Sequence, residues 1–219
     1  MTPPDPTPAE RARTVLAAAD SLTLTVATGT PVTGAPAPGA PATCTPATRA
    51  SHRVDCVALH AVDAASRLLL LDPAEPGLTA ALTGAPRSGL AVHAEFTDVA
   101  PVAVRDRVRA RLMLSGRLTT AGPDTLVLRP ARAVLVADGA RHELDAGELG
   151  AAAPDPLAGH EAELLAHLDA GHADILHELA ALTEVSALTG AARLRPVRLD
   201  RAGLVLRGEA GGPHTDVRI

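Results

Sequence analysis

The chain of 219 residues contains one aromatic side chain of the Phe, Tyr and Trp class, Phe96. Any core must therefore be aliphatic, and the 31 Leu and 18 Val residues are its main source, because the 46 Ala residues each bury little area. Leu, Ile, Val and Phe together number 52, which is just above the composition at which disorder becomes the default. The sequence therefore predicts one large domain, or one domain with a smaller appendage.

Missing residue types exclude several classes of chemistry. All 20 basic residues are Arg, and the chain contains no Lys, Asn, Gln, Trp or Tyr. This composition excludes Schiff-base chemistry, a P-loop lysine, Tyr acid catalysis and aromatic stacking on bases. The formal net charge of −5 provides no global basic field, so we expect neither nucleic acid nor a membrane surface as a partner.

The sequence also contains signals that bear on the cellular compartment of the protein. No apolar run approaches the roughly 18 residues needed to span a bilayer, and the first six residues lack a basic region typical of a signal peptide. Two cysteines, Cys44 and Cys56, do not form a disulfide framework. We therefore expect a soluble cytoplasmic protein.

The first 150 residues are rich in strand patterns. Thr7-Pro8-Ala9-Glu10 matches a capping box that opens a helix. Strands are predicted at 22–27, 54–62, 67–71, 89–99, 106–120, 126–128 and 133–136, with a short helix around 77–83. Short strands separated by Pro and Gly are typical of a small closed or partly closed barrel.

The composition changes at Asp145, and a helical region is predicted over 157–188. If one continuous helix runs through it, an apolar stripe consists of Leu164, Leu168, Ile175, Leu179 and Leu182. Asp169 and Gly171 are also compatible with two separate helices. A three-stranded meander is predicted to follow, at 193–199, 204–208 and 216–219.

The strongest local pattern is an alternation of arginines, namely Arg105, Arg107, Arg109 and Arg111. On one strand these positions share a face, about 7 Å apart, while Ala110 and Leu112 face the other side. Four guanidinium groups so placed repel each other unless negative charge lies opposite. One interpretation is a solvated face of ion pairs with carboxylates such as Glu95. The other is a cradle for phosphate, carboxylate or propionate groups.

A second candidate is His214, five residues before the end of the chain. It follows a Gly-rich segment at 208–213. One interpretation is an exposed side chain. The other is an imidazole that binds an iron ion or a substrate, since neutral imidazole is a common metal ligand.

Two segments resemble a known group of proteins. Residues 98–117 are similar to a strand pair of the flavin-binding split-barrel superfamily, which contains pyridoxamine phosphate oxidase. Residues 161–174, with the hairpin at 197–207, resemble a domain that follows the barrel in one branch of that superfamily. That branch includes HugZ-like haem-degrading proteins and the plant glutamyl-tRNA reductase-binding protein.

This resemblance implies an α+β fold with a split β-barrel over residues 8–150 and a C-terminal helix-plus-meander domain over 151–219. Residues 1–7 are predicted to be disordered. Residues 29–51, rich in Pro, Gly and Ala, are predicted to form a loop inserted in the barrel. Because relatives dimerise through the barrel, we expect a homodimer.

The resemblance implies three alternative functions. The first is binding of haem or a related tetrapyrrole, with or without oxygen-dependent haem degradation. In it Arg105, Arg107, Arg109 and Arg111 bind the propionates, and His214 binds the iron. The second is an FMN-dependent oxidoreductase, although the segment that should bind the flavin phosphate carries Asp72 and Glu75 and no basic residue. The third is a non-catalytic module that binds a protein partner.

Overall fold

The computed structural model describes residues 4–28, 50–58, 60–63, 68–71, 76–122, 125–183, 188, 191, 193–210 and 213–219. Most of the predicted insertion at 29–51, with Cys44, lies outside the described residues. The same is true of Asp72 and Glu75, so the structure does not bear on the predicted flavin phosphate segment.

The chain forms five helices and eleven strands within the described residues. The helices are α1 (Pro8–Ala18), α2 (Pro76–Thr83), α3 (Ala146–Ala151), α4 (Glu161–Gly171) and α5 (Ala173–Ala181). The strands are β1 (Ser21–Thr28), β2 (Ala50–Val57), β3 (His60–Val62), β4 (Leu68–Leu71), β5 (Leu90–Val99), β6 (Val108–Gly122), β7 (Thr125–Ala137), β8 (Ala140–Asp145), β9 (Arg193–Asp200), β10 (Gly203–Glu209) and β11 (Thr215–Arg218).

Eight strands form one antiparallel sheet in the order β2-β1-β5-β6-β7-β4-β3. The eighth, β8, pairs with the second half of β7, while β4 pairs with its first half. The protein is therefore a mixed α/β structure dominated by an antiparallel sheet, with few helices. No ladder joins β2 to β3 in the part of the chain that the structure describes, and closure into a split barrel stays a prediction.

The core of the large sheet is aliphatic, as the composition predicts. Along β6 the inward-facing Ala110, Leu112 and Leu114 are at most 2% exposed, which is the alternation expected for a strand with one buried face. Phe96 on β5 lies in the same cluster and is fully buried. Helix α1 packs on this core through Val15 and Leu16.

The start of α1 confirms the predicted capping box. Glu10 donates its backbone N–H to Thr7 Oγ1 at 3.2 Å, and Thr7 donates its backbone N–H to Glu10 Oε2 at 2.9 Å. Pro8 occupies the first helical position, where the missing N–H costs nothing.

Elements α4 to β11, here called the C-terminal unit, pack with Val102 in a second aliphatic cluster. Their three strands form an antiparallel sheet in the order β11-β10-β9, which confirms the predicted meander. The helical region divides at His172 into α4 and α5. The stripe expected for one continuous helix is wrong: the buried apolar helix residues are Leu165, Leu176 and Ala180, whereas Leu182 is 81% exposed. The buried positions fall one residue after the predicted ones in α4 as well as in α5, so the offset does not come from the break.

Candidate functional site

The four alternating arginines do not share one strand. Strand β6 begins at Val108, so Arg109 and Arg111 lie on it, while Arg105 and Arg107 precede it. Asp106 between them adopts a φ of 50°, which breaks the extended backbone that a common face requires. The predicted stripe of four is therefore corrected to two strand residues.

Three of these arginines lie apart from any cavity lining described below. Arg107 donates from Nε and Nη2 to the carbonyl of Ala100, at 3.1 and 2.8 Å. Arg111 donates to Glu95 at 3.2 Å, and its side chain is 56% exposed. The backbone N–H of Arg105 donates to Glu209. Their role in binding a cofactor stays a prediction.

Arg109 has the opposite character, because its side chain is 8% exposed. It donates to Asp98 on β5, to Glu161 at the start of α4 and to the carbonyl of Val197 on β9. Burial lowers the pKa of Arg109, but the negative charges of Asp98 and Glu161 outweigh it and hold the pKa above its ordinary value. This guanidinium therefore joins the large sheet to the C-terminal unit.

A cavity with a volume of about 560 Å³ lies at this junction. Helix α1 and the ends of β5 and β6 form one side, and the C-terminal sheet forms the other. Of the predicted site residues, the cavity brings together Arg109 and His214. Its aliphatic lining includes Val15, Leu199 and Val205.

His214 lines the cavity with a side chain that is 29% exposed. Its Nδ1 lies 3.7 Å from Asp106 Oδ2. This distance is longer than a hydrogen bond, and the side chain of Asp106 is 82% exposed. Within the described parts of the chain, Nε2 has no hydrogen-bond partner.

Sequence reasoning missed a second group of cavity residues, Arg11, Asp138 and Arg198. Arg11 Nη1 and Arg198 Nη2 both donate to the single carboxylate of Asp138, the second at 3.2 Å. These positions are 127 and 60 residues from Asp138 in the sequence, so no local motif could indicate the contact. Asp138 adopts a φ of 51° in the turn between β7 and β8.

The pKa values of Arg11 and Asp138 are both shifted by their surroundings. Burial lowers the pKa of Arg11, and the positive charge of Arg198 lowers it further against the opposing effect of Asp138. Burial raises the pKa of Asp138, but the guanidinium groups of Arg11 and Arg198 outweigh it and lower the pKa overall. Two cations therefore share one anion at this side of the cavity.

Arg218 also lines the cavity, between two carboxylates. Arg218 contacts both Asp200, at 2.6 Å, and Asp5, at 3.0 Å. Burial raises the pKa of Asp200, yet Arg218 keeps it below its ordinary value. The lining contains seven carboxylates and four guanidinium groups: Asp5, Asp98, Asp138, Asp155, Glu161, Asp200 and Asp216, with Arg11, Arg109, Arg198 and Arg218.

Two features are absent from the residues that the structure describes. No group of three or more His, Cys, Asp or Glu side chains has the arrangement of a metal site. No helix there is long and apolar enough to cross a membrane.

The fold and this site define a class: an α+β protein with a large antiparallel sheet, a smaller C-terminal sheet and a charged cavity between them. Its fold is similar to that of a haem-binding protein from Mycobacterium smegmatis. The two chains are 20% identical, the match covers 99% of this chain and 89% of the other, and the TM-score is 0.58.

A protein of unknown function from Agrobacterium tumefaciens matches with 16% identity over 99% of this chain and 92% of its own. Its TM-score of 0.38 is too low to carry an argument. No family model matches the chain, and no curated protein matches it. The similarity to the mycobacterial protein concerns the fold alone.

Proposed function

We propose that this protein binds haem or a related tetrapyrrole in the cavity between the large sheet and the C-terminal unit. The observation that carries the proposal is His214, which lines a cavity of about 560 Å³ and whose Nε2 has no hydrogen-bond partner among the described residues. This volume falls within the roughly 300–1,000 Å³ typical of ligand sites. The similarity in fold to a haem-binding protein over nearly the whole chain supports it.

The residues present fit such a ligand. Haem binding needs an axial ligand, apolar contacts for the macrocycle and cations for the propionates. His214 offers an imidazole, Val15 and Val205 offer aliphatic contacts, and guanidinium groups are present in the lining. When bound, haem supplies a redox-active iron. His214 would hold that iron through its imidazole.

A haem titration followed by absorbance tests the proposal. We expect a shifted Soret band with the wild type that saturates at a fixed stoichiometry. His214→Ala should lose the shifted band or weaken binding by at least about tenfold, and added imidazole should restore a band. His177→Ala is a matched control, because His177 is exposed on α5 and lies outside the cavity lining.

Two results of the haem titration would contradict the proposed function. If neither the wild type nor the control variant shifts the Soret band, or if His214→Ala binds as tightly as the wild type, the proposal is wrong. Failure to bind haem or flavin, together with specific capture of one protein, would favour the partner-binding module instead.

Three finer expectations belong to the same proposal. Haem degradation predicts that the Soret band of the complex decays in the presence of dioxygen and ascorbate, and a stable band excludes it. Closure of the large sheet into a split barrel and assembly into a homodimer stay predictions. Light scattering at several concentrations measures directly whether the protein is a homodimer.

A further inference from the structure

The cations that line the cavity differ in how many carboxylates they contact directly. Arg11 and Arg198 share one carboxylate, that of Asp138. The side chains of Arg11 and Arg198 are 18% and 22% exposed, so their charges are only partly screened by water. These two guanidinium groups therefore have one carboxylate in direct contact, while Asp98 and Asp200 act on Arg11 and Arg198 through their charges alone.

The other two guanidinium groups of the lining each contact two carboxylates. Arg109 contacts two carboxylates, those of Asp98 and Glu161. Arg218 likewise contacts Asp200 and Asp5. Each of these cations is already surrounded by negative charge, so a ligand carboxylate placed beside it would be repelled.

The burial of Arg11 also favours an anion beside its guanidinium group. Burial and the nearby charge of Arg198 both lower the pKa of Arg11, which means that its surroundings do not fully compensate its charge. An anion bound between the two guanidinium groups would supply the missing negative charge. Guanidinium groups bind carboxylates strongly because they present paired N–H donors.

We infer that Arg11 and Arg198 form the anion subsite of this cavity and bind a carboxylate of its ligand. The inference rests on the proposed function and deepens it, because it states how the ligand is oriented. The sequence predicts that arginines before and along β6 contact the acidic side chains of the ligand. The inference assigns this contact to one arginine on α1 and one on β9 instead. Asp138 then acts as an internal competitor for the same two cations.

Titrations with haem and with haem dimethyl ester test the subsite. The ester keeps the iron and the macrocycle but has no propionate charge. We expect the wild type to bind haem about tenfold more tightly than the ester, which is a typical effect of one charge-assisted hydrogen bond. Arg198→Gln should bring the two affinities together by weakening the binding of haem more than that of the ester.

Asp138→Asn provides a test in the opposite direction. It removes the competing charge, so the preference for haem over the ester should increase. Asn tolerates the positive φ of position 138 about as well as Asp does. A general loss of folding cannot produce a gain, so the two variants together separate a subsite from a structural role.

Arg141→Gln is the control, because Arg141 is exposed on β8, pairs with Glu143 and lies outside the cavity lining. It should bind both ligands as the wild type does. Equal affinity of the wild type for haem and the ester overturns the subsite and leaves haem binding intact. A decreased preference in Asp138→Asn also overturns it. If neither ligand binds, the proposed function fails and the subsite fails with it.

Discussion

Arg109 Nη1 donates to Glu161 Oε1 at 2.7 Å, which joins strand β6 to the first turn of helix α4 across 52 positions of sequence. Both side chains are at most 10% exposed. The same oxygen, Glu161 Oε1, also accepts from the backbone N–H of Leu199, at 3.0 Å. This carboxylate therefore links the large sheet, the helical region and the C-terminal sheet at one point.

Loss of the charge on Glu161 should destabilise the protein. Glu161→Gln leaves the buried guanidinium of Arg109 with one carboxylate, that of Asp98, and removing one partner of a buried pair leaves charge uncompensated. We expect the free energy of unfolding to fall by about 1–3 kcal/mol. Urea denaturation followed by circular dichroism measures it.

Glu143→Gln is the matched control for this variant. Glu143 pairs with Arg141 and Arg132 on the surface, and its side chain is 52% exposed. Exposed ion pairs contribute little, so its effect should stay within about 0.5 kcal/mol. Equal effects of the two variants would show that the Glu161 contact is no stronger than a surface pair.

The stability of the start of α1 should depend on pH through Glu10. Hydrogen bonds from the backbone of Thr7 and from the side chains of Arg201 and Thr7 lower the pKa of Glu10 from 4.5 to about 2. The unfolded chain therefore binds a proton more readily than the folded chain between these values, and folding stability rises with pH there. This contribution is complete above pH 4.5 and is lost as the pH falls towards 2.

Comparison of wild type and Glu10→Gln isolates this contribution from that of other carboxylates. The difference in their free energies of unfolding should be largest above pH 5 and should shrink as the pH falls towards 2. Thermal or urea denaturation at pH 6, 4 and 3 provides the measurement. A constant difference across this range would contradict the assigned pKa.

Local sequence signals predicted much of the fold. The capping box at the start of α1 and the alternation along β6 depend on neighbouring residues, and both are confirmed. The prediction of two separate strands at 126–128 and 133–136 is wrong, because β7 is continuous through Pro130. Pro130 pairs with Gly116 where the register between β6 and β7 shifts, and an irregular pairing tolerates a residue without an N–H donor.

The candidate site was less accessible from sequence for a physical reason. Arg109 and His214 were identified by their residue types, but Arg11, Asp138 and Arg198 meet only through the packing of α1 and β9 against the turn after β7. A spacing rule cannot find a contact between distant segments. The alternating arginines were misleading because Asp106, with its positive φ, ends the extended backbone before Val108.

Gly116 should be intolerant of a side chain. A Cβ atom at this position would lie 2.1 Å from the carbonyl oxygen of Arg129 on the neighbouring strand. Because that atom belongs to the backbone, β6 and β7 would have to separate. We expect Gly116→Ala to lower the free energy of unfolding by about 1–3 kcal/mol in urea denaturation.

Gly150→Ala provides the comparison for that substitution. Gly150 lies in α3, and a Cβ atom there would meet nothing within 4 Å. Ala favours the helix by up to about 1 kcal/mol over Gly, so this variant should be neutral or more stable. Similar losses in both variants would mean that the close approach of β6 to β7 does not restrict position 116.

The thiol of Cys56 should be unreactive while the protein is folded. Its side chain is 1% exposed in the core of the large sheet, and burial, with a smaller effect of the Asp55 carboxylate, raises its pKa. Since the thiolate is the reactive form, both effects slow its reaction with a disulfide reagent. In a Cys44→Ser background, Cys56 is the single remaining thiol. We expect labelling at pH 7.5 to be at least about a hundredfold slower than in denaturant, because an opening that costs ~3 kcal/mol exposes under about 1% of the molecules. Equal rates in the two conditions would show that the β1–β2 edge of the sheet opens freely in the folded protein.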